Sequence, residues 1–116
     1  MSEKLATKLT CAIPGCKSII LRAGYAEKDS SFSLDPPAVF PALPGASNKD
    51  ELNSSQFESL WRVSDKMDFD NIAFSLVLPG SGHRMLACAD CEAGPVGFQP
   101  AGMEVCFIIP DRVKAE

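Results

Sequence analysis

The sequence predicts a mainly β domain, on three observations. Nine prolines and eight glycines in 116 residues interrupt the chain too often for long helices, because proline removes a backbone donor and glycine weakens an element's interior. Between the breaks, short runs such as "SIIL" and "EVCFII" are rich in β-branched and aromatic residues, which suit a pleated surface. Two cysteine pairs stand at opposite ends of the chain, where one metal site could staple a small sheet protein together. The expectation is one domain over residues 1–116, with roughly seven short strands.

The elements follow in order. Cys11 to Ala23, "CAIPGCKSIILRA", places a proline-glycine turn between two cysteines and then an Ile-Ile-Leu strand,. From Glu27 to Ser55 the composition shifts to Ser, Pro, Asn and Asp around "DPPAVFPALPG". That stretch predicts a long Pro/Ser-rich loop open to flexibility, with one extended piece at Ala38 to Phe40. "FESLWRV" fits a strand or a short helix equally,. "SDKMDFDNIAFSLVL" alternates at Met67, Phe69, Asn71 and Ala73 and predicts a strand with an acidic entrance, ended by "PGSG",. "HRMLACADC" is a further apolar segment, Pro95 to Phe98 reads as a turn leaving it, and Met103 to Ile109 predicts a last strand stopped by Pro110,.

Composition removes several functional classes. With net charge −4 and no basic cluster to cover a phosphate backbone, nucleic acid is a poor partner,. "MSEKLATKLT" lacks the apolar core of a signal peptide, and no apolar run approaches the ~20 residues of a membrane span,. The expected location is the cytoplasm, where five cysteines are a poor disulfide framework,.

Cys11 and Cys16 form a Cys-x4-Cys pair, and Cys88 and Cys91 a Cys-x2-Cys pair. Two such turns facing each other present four thiolates in a tetrahedron, which suits Zn²⁺; the alternative is unligated core thiols. Cys106 lies in an apolar strand and reads as a core residue. A thioredoxin-like role for Cys88 and Cys91 would need a helix N-terminus in a βαβ unit, which the pattern does not offer. His83 is the only histidine, so a triad has no candidate constellation, and the chain reads as no enzyme.

The run Phe69, Asp70, Asn71 with Phe74 after it, and Cys-Ala-Asp-Cys followed by Glu92 and "GPVGF", resemble the Rab-interacting factor family of small zinc-binding proteins of the Mss/Dss type. The resemblance starts at Cys11, skips the long loop, and resumes from about Trp61 to Val113. A family tryptophan is replaced by Phe98, and the loop differs in length. The resemblance implies an Mss4-like β-tent whose zinc ligands match Cys11, Cys16, Cys88 and Cys91. It also implies a docking surface for a Rab-family small GTPase at Asp65, Lys66, Met67, Asp70 and Asn71, with Asp90 and Glu92 from the second cysteine turn. Such a protein would prefer the nucleotide-free GTPase and act as a guanine-nucleotide releasing factor or chaperone in vesicle-mediated protein transport. It would work as a monomer and meet membranes only through the GTPase. Phe69, Phe74 and Trp61 are expected in the core. Two rivals remain: a methionine sulfoxide reductase-like enzyme using Cys106, whose Arg-Tyr-Cys-x-Asn motif is absent, and a zinc-stabilised adaptor unrelated to GTPases.

Overall fold

The computed structural model describes residues 4–13, 15–32, 39–40, 52–53, 59–75, 80, 82–92 and 95–115. Along them run eleven strands. β1 (Leu9–Cys11), β2 (Ile19–Leu21) and β11 (Val113–Ala115) form one antiparallel sheet in the order β11-β1-β2. β3 (Glu27–Asp29), β6 (Leu60–Val63), β7 (Ile72–Phe74), β8 (Arg84–Cys88), β9 (Gly97–Gln99) and β10 (Cys106–Ile108) form a six-stranded sheet in the order β3-β6-β10-β9-β8-β7. β4 (Val39–Phe40) and β5 (Leu52–Asn53) pair as a short ribbon. The fold is mainly β, and among the described residues no helix is long and apolar enough to cross a membrane.

Side-chain alternation gives the larger sheet two covered faces. Cys106 and Ile108 of β10, Leu86 and Cys88 of β8 and Val63 of β6 point toward the small sheet, where they pack with Leu9, Ile20, Leu21 and Val113. Phe107, Phe98 and Leu60 point the other way into an aromatic cluster with Phe40 and Ile109. There Phe32 stacks on Phe107 at 4.1 Å between centroids and Phe40 on Phe98 at 5.2 Å. Burial on both faces explains why "CFII" is apolar without a break. Isolated backbone bridges, between Leu21 and Phe69 and between Lys4 and Glu27, tie strand residues to segments outside the strands.

Four expectations are corrected. The stretch read as a loop from Glu27 opens with β3, a charged edge strand stabilised by Arg62 on the facing β6, whose guanidinium lies 3.1 Å from Glu27 Oε2 and 3.7 Å from Asp29 Oδ2. Charged side chains suit an edge, where one row of backbone groups faces solvent. Of the remaining loop, Val39–Phe40 is extended as β4, β5 follows, and 33–38, 41–51 and 54–58 lie outside the described residues. The alternation from Met67 is not one strand: Lys66–Asp68 is a 3-10 helix capped by Asp65, and only Ile72–Phe74 is extended. Local capping outweighs the period-two pattern there. Pro95 to Phe98 is no simple turn, because Gly97 and Phe98 enter β9 between β8 and β10. Finally, Met103 to Val105 precede β10, and Pro110 starts a closing 3-10 turn. "FESLWRV" resolves to strand at Leu60–Val63.

Candidate metal centre and docking lip

Cys11 ends β1 in the small sheet, and Cys88 ends β8 in the large one. The turn after each strand supplies a second sulfur. Cys16 N–H donates to Ile13 O at 3.0 Å and Cys11 N–H to Ser18 O at 3.0 Å, closing the first turn. In the second, Glu92 N–H donates to Cys88 O at 2.8 Å, and Glu92 takes a left-handed backbone with φ 61°.

The four sulfurs all lie within 4.8 Å of one another. Cys11 Sγ is 3.5 Å from Cys91 Sγ, and Cys16 Sγ is 3.8 Å from Cys88 Sγ. Ideal tetrahedral zinc, with Zn–S bonds of ~2.3 Å, requires sulfur–sulfur edges of ~3.8 Å, so the cluster can hold such an ion. Each of these two contacts joins one cysteine from each turn, so the turns face each other across the cluster. Cys11 and Cys88 are buried, Cys16 is half-buried and Cys91 exposed. Burial pushes the Cys11 thiol above its usual range, whereas the Ser18 backbone N–H above all brings Cys16 down to about 7. Charge on a sulfur is stabilised by donors and disfavoured by loss of water.

Beside the cluster runs the acidic segment. Asp65 Oδ1 accepts from Met67 N–H at 2.9 Å, which turns the chain so that Met67 projects with 79% of its surface exposed. Asp70 is anchored by its own N–H to Ile20 O at 2.9 Å, and its carboxylate meets Arg22 at 3.3 Å. Arg22 also lies over the Tyr25 ring, 4.9 Å from its centroid. Phe69 and Phe74 meet edge to face at 6.2 Å. With Met67, Asp70, Ile72 and Arg84 they line a surface cavity of about 370 Å³. Phe69, Phe74 and Trp61 pack against the core from partly buried positions.

The expected docking residues therefore divide. Asp65, Lys66, Met67 and Asp70 gather along one lip. Asn71 instead faces inward: its Nδ2 donates to Ile19 O at 2.8 Å, and its own carbonyl accepts from Ala89 N–H at 3.1 Å. Asp90 Oδ2 accepts a hydrogen bond from Ser18 Oγ. Glu92 is exposed at the end of the second turn.

Three side chains that tie these segments together escaped the sequence reading. Ser18 and Arg22 carry no spacing signal, because their carboxylate partners, Asp90 and Asp70, are far along the chain. Arg112 is 1% exposed, and its Nη1 donates to Pro95 O at 3.1 Å, steadying the segment that leaves the second turn. A basic residue after "IIPD" looks like surface until the fold is known. Of the remaining candidates, Cys106 is fully buried and its thiol is pushed up to about 11 by desolvation. His83 Nδ1 accepts from Ala101 N–H at 2.9 Å.

Residues 6–115 match the model of a family described as Mss4 protein. Over 64 residues, 55% of this chain, it is 42% identical to a Drosophila melanogaster protein named guanine nucleotide exchange factor MSS4 homolog, covering 51% of that protein. A Schizosaccharomyces pombe protein of the same name is 29% identical over 58 residues, 50% of this chain and 57% of that protein. The chain thus spans about half the length of the curated relatives it matches. With nearly its whole length following that pattern, and both cysteine turns inside it, the chain belongs to the Mss4 family.

Proposed function

We infer that this chain binds Rab-type small GTPases, prefers their nucleotide-free form, and promotes GDP release or stabilises the empty GTPase during vesicular transport in the cytoplasm. The observation that carries this reading is the exposed Met67 beside the Asp70 carboxylate, at the rim of an apolar-floored cavity next to the cysteine cluster. A large exposed apolar side chain ringed by charge marks an interaction surface, and methionine adapts to a partner's contours. The names of the two relatives supply the nucleotide-exchange context.

Cys11, Cys16, Cys88 and Cys91 would hold Zn²⁺. Bound there, the ion supplies a closed four-sulfur junction and no open coordination position. The chain's own residues do the rest. Asp65 holds the 3-10 turn that presents Met67, and the backbone of Asp70 ties the lip to β2. Glu92 adopts a conformation that costs a non-glycine residue about 1–2 kcal/mol,; an exposed carboxylate kept at such a position supports a contact role.

Exchange needs no covalent chemistry. If the lip binds empty GTPase more tightly than loaded GTPase, nucleotide affinity must fall by the same factor. Cys106 suits this non-enzymatic reading, because a buried thiol held neutral is a poor nucleophile,.

Pull-down of purified Rab proteins, each emptied or loaded with GDP or GTP, tests the inference. Retention of the empty form is expected to dominate. Met67→Ala or Asp70→Ala should weaken it by ~10-fold or more, in the range of an interface hot spot, with zinc content unchanged. Equal capture of loaded and empty forms, or unaltered binding by both variants, would overturn the proposal.

A further inference from the structure

We propose that Ser18 and Asp90 form a latch across the cysteine cluster and are positioning residues for metal retention. This rests on the reading of the four cysteines as a zinc site.

Ser18 touches both halves of the cluster. Its carbonyl accepts from Cys11 N–H, its hydroxyl oxygen lies 3.5 Å from Cys16 Sγ, and that hydroxyl donates to Asp90 Oδ2. Asp90 sits between Cys88 and Cys91. One residue of the first turn is therefore bonded to both of its own cysteines' neighbourhoods and to the opposite turn. The two turns lie at the tips of different sheets. Asn71 bridges the inner side, joining Ile19 O to Ala89 N–H. Ser18 with Asp90 closes the outer side, next to the exposed Cys91.

A geometric consequence follows. Separating the turns would break up the four-sulfur cluster, because the Cys11–Cys91 and Cys16–Cys88 contacts cross between them. A hydrogen bond across the gap resists that separation without touching the ion. Groups that orient metal ligands from behind typically change metal affinity by ~10–100-fold when removed.

The experiment uses the full chain loaded with Zn²⁺ and follows its removal by excess EDTA, for the parent, Ser18→Ala, Asp90→Ala, the double variant and Ser18→Thr. Parallel Co²⁺ substitution reads the sulfur-to-metal absorption band, and thermal melts of the loaded proteins monitor folding. Ser18→Ala and Asp90→Ala should each release zinc ~10-fold faster or more and shift the Co²⁺ band. The double variant should be no worse than the weaker single, since one bond is lost in all three, and Ser18→Thr should restore retention. Release at the parent rate from both single variants would overturn the latch while leaving the zinc site standing. Additive effects in the double variant would also overturn it. A parent that takes up neither metal would sink the cysteine reading along with it, and that result appears before any variant is compared.

Discussion

Asp29 shows how much one side chain can do in a strand made of charges. Its desolvation raises the carboxyl pKa, but the Ser31 N–H and hydroxyl, the Phe32 N–H and Arg62 together hold it below the usual value. A carboxylate whose folded pKa is depressed binds fewer protons in the native state than in the unfolded chain. Its stabilisation is present above the unfolded value of ~3.9 and disappears as pH falls through the folded value. Asp29→Asn should therefore lower the urea midpoint at pH 7 and leave it near the parent's at pH 2, with equilibrium unfolding at both pH values as the check. An equal loss at both would mean that the amide fails for reasons of shape. At this scale the sequence is uneven evidence. Cysteine spacing exposes the candidate metal centre because ligand chemistry demands those residues at short intervals,. Asn71 carries a polar side chain that suits a surface or an internal tie equally, and only Ile19 and Ala89, brought close by folding, decide between them.

The strands show which local signals survive folding. β10 and β8 were legible because both faces of the large sheet are buried and their apolar runs are continuous. β3 was not, since an edge of Glu, Lys and Asp has a loop's composition and becomes a strand only through its pairing with β6. β9 was hidden for another reason. Gly97 reads as a turn residue, yet it lies in the sheet because the β10 backbone passes over it. A Cβ there would stand 2.2 Å from Phe107 O and 3.1 Å from Ile108 Cα. Neither atom belongs to a flexible side-chain tip, so the strands would have to part. Gly97→Ala is expected to cost ~1–3 kcal/mol or more, read as a lower denaturant midpoint at constant m-value. A change below ~0.5 kcal/mol would contradict the close approach.

Across the whole molecule, two sheets meet over one apolar layer and are joined at their tips by the cysteine turns. The two-sheet arrangement was not legible from pattern alone, which gave strands without partners; the family resemblance carried it. On the zinc reading, chelation should destabilise every element together, because binding free energy for ligands not preformed in the unfolded chain is folding free energy. Excess EDTA should lower the melting temperature by ~10 °C or more, equivalent to ~2 kcal/mol for a domain of this size. A melt indifferent to EDTA and restored zinc would place the tips' cohesion in packing alone. Trp61, the chain's single tryptophan, is wedged partly buried against that shared layer. Nature has thereby fitted the molecule with an intrinsic fluorophore at its seam: reddening of the emission while backbone circular dichroism holds steady would reveal the roof lifting from its walls before either comes apart.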